Sequence, residues 1–196
     1  MTETTYNTLP RRRIFKNLIK MPNFMYHEYD DNNNKCMLIE KIENIDSNIQ
    51  TLNVNVVTCV EAATAKNIPL ANELKSLLLK TDKGLYLLHL RGDRSADLRS
   101  IKKFLGVKEA YIAGKEDLDF LGTERGTINP FSDKLRALPQ LVSEDLRYMQ
   151  FLSTNYGGCL NKYIVFTPSV LFEVLHGSNV KIGNFTKKED VKKWRT

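Results

Sequence analysis

The chain has 196 residues, of which 42% are hydrophobic and 27% are charged. This balance is that of an ordinary globular protein, and it excludes disorder over the whole length. The longest uncharged apolar runs are far shorter than the roughly 20 residues of a membrane-spanning helix, so we expect no membrane segment. No apolar stretch follows the basic start of the chain as it would in a secretory signal, which predicts a cytoplasmic protein.

The net charge of +6 is concentrated at the two ends of the chain. Residues 10–20 hold five basic side chains and no acidic one, and residues 177–196 hold six basic side chains against two acidic ones. Basic arms on a nearly neutral body are typical of contact with a nucleic acid, although charged tails also keep proteins soluble. The side chains assigned to this contact are Arg11, Arg12, Arg13, Lys187 and Lys188.

Three segments are expected from composition. Residues 1–50 form a basic and polar extension, in which apolar residues at helical spacing predict an amphipathic helix from Leu38 to Ile49. Residues 51–176 form the globular body, and residues 177–196 form a basic tail.

The body begins with a predicted strand and a short helix. Residues 53–57 alternate between polar and apolar side chains, as a strand does. Thr58 is followed three residues later by Glu61, which is the pattern of a capping box. The helix that it opens is expected to end before Pro69.

A β-hairpin and a second helix are predicted next. Residues 74–79 and 85–90 are apolar runs, separated by a polar segment in which Gly84 can take the positive φ that the turn needs. Residues 96–105 form a helix, with Gly106 in the C-cap position.

Strands and helices alternate irregularly in the rest of the body, around a loop at residues 122–130. Strands are expected at residues 107–112, 141–142, 149–152 and 163–166, and helices at residues 116–121 and 168–175. Because a hairpin occurs among alternating elements, we predict a single α+β domain with a mixed sheet.

Common catalytic motifs are missing from the sequence. There is no P-loop, dinucleotide-binding glycine pattern, zinc-protease helix or nucleophile elbow, and the three cysteines show no C-x-x-C spacing. His89 lies inside an apolar strand, where a structural imidazole is favoured over a general base. Spacing alone leaves a Cys–His nucleophile pair open, because such partners meet only in three dimensions.

Lys75 is the first feature that could carry chemistry. Strand alternation places it on the same face as Leu77 and Leu79, and a lysine at a core-facing position is unusual. On spacing alone, a lysine that protects a sheet edge or extends its charged end to solvent is the better explanation.

The loop from Gly126 to Pro130 is the second such feature. Glycine allows close backbone approach and proline fixes φ, so the N–H groups between them can point into a pocket. Such a group of donors binds a carbonyl oxygen or an oxyanion. An ordinary turn is the commoner explanation for a single loop of this kind.

Five segments of the body occur in the order of a known family. They are residues 58–63, 74–79, 85–98, 104–107 and 122–131. In this order they resemble the YbaK/ProX family of freestanding aminoacyl-tRNA deacylases, which is related to the editing insertion of bacterial prolyl-tRNA synthetase. The similarity covers about residues 53–175.

The resemblance implies hydrolysis of the ester that joins a wrongly attached amino acid to the 3′ end of a tRNA. It also implies a partly barrel-like sheet flanked by helices, no metal and no cofactor. Water is the nucleophile in that family, assisted by the terminal ribose hydroxyl. By this resemblance Lys75 and Gly126 are catalytic, and the substrate-binding residues are Ser76, Thr127, Ile128, Asn129, Pro130, Asn155 and Gly157.

The expected partner is a mischarged tRNA, either for proline or with a related small-amino-acid error, and an aminoacyl-tRNA synthetase is a second candidate. The family often has Thr or Asn where this chain has Ser76, which leaves the removed amino acid open. Two alternatives remain at this point. One is a binding module for tRNA or a synthetase without hydrolysis, and the other is an assembly factor whose basic arms bind RNA.

Overall fold

The computed structural model describes residues 49–188, so Arg11 to Arg13 and most of the helix predicted before residue 49 lie outside it. The strands are β1 Ile49–Thr51, β2 Leu74–Thr81, β3 Gly84–Arg91, β4 Arg94–Ala96, β5 Ala110–Ile112, β6 Gln140–Ser143, β7 Leu152–Asn155, β8 Lys162–Phe166, β9 Val180–Gly183 and β10 Thr186–Lys188. The helices are α1 Cys59–Lys66, α2 Leu98–Leu105, α3 Lys115–Phe120, α4 Asp133–Arg136 and α5 Pro168–Val174, with 3₁₀ turns at Leu70–Asn72 and Glu144–Tyr148. No helix in this part of the chain has the length and hydropathy needed to cross a bilayer.

The predicted hairpin forms the centre of a five-stranded sheet with the order β5-β2-β3-β6-β9. Strands β2 and β3 pair in antiparallel fashion from Leu74 opposite Arg91 to Thr81 opposite Gly84, whose φ is +121°. Strand β6 joins β3 in parallel, and β9 joins β6 in parallel. The expected α+β fold with a mixed sheet is therefore confirmed.

A second, antiparallel sheet of order β1-β8-β7 meets the first at the beginning of β2. The junction is a parallel bridge between Glu73 and Ser153. On the same edge β2 pairs with β5 only from Leu79 onward. No strand of the described chain pairs with Ser76 and Leu77 on that side, so the edge of β2 is open between the two sheets.

The two faces of β2 contact different parts of the core. Leu77 and Leu79 pack with Ile101 of α2, whereas Leu78 packs with Leu135 of α4. Side chains two residues apart in a strand share a face. Lys75 therefore lies on the α2 side of the sheet, as its alternation predicts.

Local signals correctly predicted the start of α1 and the end of α2. The Glu61 backbone N–H donates to Thr58 Oγ1 at 3.2 Å, and Glu61 Oε2 accepts from the N–H groups of Thr58 and Val57 at 2.9 and 3.0 Å. The hydrogen bonds from the Thr58 and Val57 N–H groups hold the pKa of the Glu61 carboxyl below its ordinary value. Helix α2 ends at Gly106, whose φ is +63°.

Two predicted strands were wrong or displaced. Residues 53–57 form no strand, although the N–H groups of Leu52 and Val56 donate to Asn161 O and Leu160 O. The strand expected at residues 149–152 begins only at Leu152, which pairs with Phe166, and residues 149–151 lie between it and a 3₁₀ turn that ends at Tyr148. Residues 53–57 and 149–151 have no strand partner, and alternation alone cannot supply one.

The fold also extends beyond the expected boundary at residue 176. Val180–Gly183 pairs with β6, and Thr186–Lys188 pairs with β4, so these residues belong to sheets and do not form a tail. Their basic side chains led to the prediction of a tail in place of strands. The pairing is long-range, which local sequence does not reveal.

Candidate functional site

Lys75 lies on β2, two residues after the bridge between the two sheets. Its side chain is half-buried, and Nζ donates to the carbonyl oxygen of Arg94 at 2.7 Å. The Glu73–Ser153 bridge is parallel. Lys75 follows this bridge by two residues on β2, and Asn155 follows it by two residues on β7.

Asn155 connects the end of β7 to the Gly126 loop. Its Nδ2 donates to the carbonyl oxygen of Gly126 at 2.6 Å. Gly126 has a φ of +92°, and a Cβ there would lie 3.0 Å from the carbonyl oxygen of Val57, so the position favours glycine. The structure thus joins two predicted residues, Asn155 and Gly126, by a direct hydrogen bond, and Asn155 and Lys75 each lie two residues beyond the Glu73–Ser153 bridge.

The polar side chains of the loop hold its own backbone. Thr127 Oγ1 donates to Glu124 O at 2.9 Å, and Asn129 Nδ2 donates to Thr127 O at 2.9 Å. Asn129 Oδ1 accepts from the Phe131 N–H at 2.9 Å. Thr127 and Asn129 are buried, and these hydrogen bonds hold the shape of the loop.

The backbone of the loop is the part with free hydrogen-bonding capacity. Within residues 49–188, the N–H groups of Ile128 and Asn129 donate to no protein acceptor. Pro130 follows with no N–H of its own, and the Ile128 side chain packs against the cluster that contains Leu78. A donor without a protein partner in a fixed loop can bind an oxygen that carries negative charge. Of these two residues, Ile128 is partly exposed and Asn129 is buried.

Ser76 points to the other face of β2 and binds a buried histidine. Its Oγ lies 2.9 Å from His89 Nδ1, and His89 Nε2 lies 2.8 Å from Gln140 Oε1. Gln140 Nε2 donates to two backbone carbonyls, so its Oε1 is the acceptor. His89 therefore donates from Nε2, and Nδ1 accepts from the Ser76 hydroxyl.

Burial lowers the pKa of His89 to about 4. The unfolded chain takes up this proton near pH 6.5, so we expect the free energy of unfolding to fall as the pH drops from about 6.5 towards 4. The contribution of this one group is at most about 3 kcal/mol. Urea unfolding from pH 7 to pH 4 measures it. The His89→Gln variant should show a flatter pH dependence, and an equal dependence would contradict the assignment.

A buried ion pair that sequence reasoning missed lies beside the site. Lys66 Nζ donates to both carboxylate oxygens of Glu73, at 3.1 and 3.0 Å, and to Ser153 Oγ at 3.0 Å. It also lies 4.7 Å from the centre of the Tyr163 ring. The side chains of Lys66 and Glu73 are 0% and 3% exposed. This group fastens α1 and β7 to the start of β2, two residues before Lys75.

Desolvation is the main influence on both members of the pair. Burial lowers the pKa of Lys66 and raises the pKa of Glu73, and the attraction between the two opposes each change. The sequence did carry a signal for Lys66. It follows the buried residues Ala62 and Ala63 at helical spacing, which places it on the buried face of α1.

The remaining predicted residues lie on other segments of the chain. Gly157, with a φ of +62°, is in the turn between β7 and β8. Lys187 is exposed on β10, and the Lys188 backbone pairs with Arg94 on β4. Among residues 49–188, no cluster of three or more His, Cys, Asp or Glu side chains is arranged to hold a metal ion.

The fold and the order of these segments define a class of protein. The profile of the family described as "Aminoacyl-tRNA editing domain" matches residues 53–164, which is more than half of the chain. The chain belongs to the aminoacyl-tRNA editing domain family.

Two curated relatives are proline–tRNA ligases of Leptospira borgpetersenii serovar Hardjo-bovis, from strains JB197 and L550. Each is 28% identical to this chain over 128 residues, which is 62% of the chain and 22% of the ligase. The chain thus spans about a fifth of the length of these relatives.

Solved structures share the fold at low sequence identity. One is described as a "putative trans-editing enzyme for prolyl tRNA synthetase", with a TM-score of 0.61 and 24% identity over 71% of this chain and 85% of that one. A scaffold protein from a study of epitope grafting gives a TM-score of 0.64 and 22% identity, over 74% of this chain and 89% of that one. At these identities the similarity supports the fold.

Proposed function

We propose that this chain is an aminoacyl-tRNA deacylase that hydrolyses the ester of a mischarged tRNA as a trans-editing enzyme. The observation that carries the proposal is the hydrogen bond of 2.6 Å by which Asn155 holds the Gly126 loop. Asn155 and Lys75 each lie two residues beyond the Glu73–Ser153 bridge, on β7 and β2. Membership of the editing family supplies the substrate class.

The reaction adds water to the ester carbonyl carbon, breaks the bond to the ribose oxygen and releases the amino acid and the tRNA hydroxyl. Negative charge develops on the carbonyl oxygen, and the N–H group of the partly exposed Ile128 is the donor offered to it. Lys75 contributes a positive charge on the other side of the ester. Each such donor typically contributes about 10²–10³ in rate.

The described side chains offer no obvious general base for this step. His89 is fully buried and bound to Ser76 and Gln140, while Glu73 is buried against Lys66. An aminoacyl ester is already activated, so positioning of water and stabilisation of charge suffice. The terminal ribose hydroxyl of the substrate is the group assigned to guide the water.

A panel of mischarged tRNAs tests the proposal, beginning with alanyl- and cysteinyl-tRNA for proline. This choice follows from the two relatives named as proline–tRNA ligases. Rapid release of one amino acid would support deacylation and identify the substrate. Tight binding of tRNA without release from any member of the panel would instead indicate a binding module.

Replacing Asn155 with alanine removes the hydrogen bond that fixes Gly126. We expect deacylation to slow by at least about tenfold, because small displacements of a catalytic loop have large effects on rate. The free energy of unfolding should fall by only about 1 kcal/mol. Single-turnover deacylation and a thermal melt measure the two effects, and the exposed Asn179→Ala is the matched control. An unchanged rate in Asn155→Ala would remove Asn155 from the site.

A further inference from the structure

A small polar cleft lies next to the contact that Lys75 makes with β4. Its volume is about 230 Å³, and its walls include Arg94, Lys187, Glu144, Asp145 and Asn184. Most ligand pockets measure roughly 300–1,000 Å³ and are lined mainly by apolar side chains. This cleft is therefore suited to one polar unit of a larger ligand and not to a whole ligand.

The guanidinium of Arg94 is not fully hydrogen-bonded within the described part of the protein. Its Nε is buried and has no hydrogen-bond partner among the described residues. The nearest carboxylate oxygen, Asp145 Oδ2, is 3.8 Å away and is the same distance from Arg91 Nη1. Arg91 has its own bidentate partner in Asp93. Buried guanidinium N–H groups are normally bonded, so Arg94 has hydrogen-bonding capacity that the protein does not use. Because Nε itself is shielded from solvent, an external acceptor would bind the exposed part of the guanidinium, where Arg94 lines the cleft.

The position of the cleft connects it to the proposed reaction. Lys75 Nζ donates to the Arg94 carbonyl oxygen, so the cleft begins at the residue that Lys75 contacts. An RNA strand whose 3′-terminal ester lies at Lys75 must place its next sugar and phosphate close by. Lys187 adds a second, exposed positive charge at the rim of the cleft.

The chemistry of the walls matches a sugar-phosphate unit. Guanidinium and ammonium groups bind phosphate oxygens, and carboxylates such as Glu144 accept from ribose hydroxyls. An inorganic anion would contact only the basic groups and leave the carboxylates unused. The presence of basic and acidic groups in one small cleft favours the sugar-phosphate unit of a nucleotide over a simple anion.

We propose that this cleft binds the sugar-phosphate of the nucleotide adjacent to the esterified 3′ end, with its phosphate on Arg94 and Lys187. The proposal rests on the proposed function, because it assumes that an RNA 3′ end lies at Lys75. It adds a substrate-binding site outside the Gly126 loop. Arg94 is a binding residue here and takes no part in the chemical step.

The test uses the full chain and an uncharged synthetic RNA hairpin that carries the single-stranded 3′ end of a tRNA acceptor arm. Fluorescence anisotropy measures its affinity at several salt concentrations, and single-turnover deacylation is measured separately. Arg94→Gln should weaken binding about tenfold and reduce the salt slope by about one. Lys187→Gln, at the exposed rim, should weaken binding about two- to threefold. Arg99→Gln, an exposed arginine on α2, is the matched control and should bind like the wild type.

Asp145→Asn separates ligand binding from a structural role of the Arg94–Asp145 pair. Removing the negative charge should leave RNA binding unchanged or tighter, because it no longer competes with phosphate for Arg94. Weakening by both Arg94→Gln and Asp145→Asn to the same degree would overturn the proposal, as would wild-type affinity and salt slope in Arg94→Gln. If the variants bind RNA as expected but no deacylation is found, the cleft is supported as an RNA-binding site and the deacylase function is rejected.

Discussion

Replacing Lys75 with alanine is expected to lower the rate of ester hydrolysis by about 10²–10³-fold while the protein remains folded. Lys75 lies on β2 two residues beyond the bridge between Glu73 and Ser153, and Asn155 lies two residues beyond it on β7. The variant also loses a hydrogen bond to the Arg94 carbonyl, which should cost about 1 kcal/mol of stability. Single-turnover deacylation of a mischarged tRNA for proline, together with a thermal melt, measures both effects.

Two further variants make the Lys75 result specific. Lys103→Ala removes an exposed lysine from α2 and should hydrolyse the ester at the wild-type rate. Lys75→Arg keeps the charge but changes the shape of the donor, so we expect only partial activity. Full activity in Lys75→Ala would show that the lysine is a structural contact of β4 and not part of the reaction.

Replacing Glu73 with glutamine is expected to cause the largest loss of stability, about 3–5 kcal/mol. The substitution leaves the Lys66 ammonium buried without a compensating charge, since its side chain is 0% exposed. Because the pair joins α1 and β7 to the start of β2, deacylation should fall as well. Urea unfolding at pH 7 gives the change in free energy.

A double variant and a surface pair serve as controls for Glu73→Gln. Lys66→Met combined with Glu73→Leu removes both charges and should recover most of the lost stability. Asp119→Asn breaks the exposed Lys115–Asp119 pair, whose side chains are 87% and 57% exposed, and should change stability by less than about 1 kcal/mol. A loss in Glu73→Gln as small as that in Asp119→Asn would show that the buried pair contributes little.

Local signals predicted those elements whose ends are set by neighbouring residues. The capping box at Thr58 and Glu61 fixed the start of α1, and Gly106 fixed the end of α2. The hairpin of β2 and β3 followed from two apolar runs around a turn. In each case the deciding contact joins residues only a few positions apart.

Pairing partners distant in the chain were not predictable in this way. Strands β9 and β10 form because they pair with the edges of β6 and β4. The sequence of residues 177–196 carries no signal of those edges. The strand predicted at residues 53–57 is wrong for the opposite reason. It alternates like a strand but has no strand beside it.

In the candidate site, too, some features were predicted from sequence and others depend on contacts between distant residues. Sequence and family resemblance selected Lys75, Asn155 and the Gly126 loop as site residues, a role that stays a prediction. They could not show that Thr127 and Asn129 turn their side chains into the loop itself, or that Ser76 is bound to His89. Lys66 and Glu73 were missed because burial of a charge depends on its surroundings in three dimensions.

The sequence by itself determined the α+β class, the caps, the central hairpin and the face on which Lys75 lies, because each follows from local spacing or alternation. Only the tertiary structure decided that one edge of β2 is unpaired between the two sheets and that Asn155 is hydrogen-bonded to Gly126. It alone also placed the incompletely bonded Arg94 beside the Lys75 contact. These features arise from contacts between residues far apart in the chain, whose geometry no local pattern encodes.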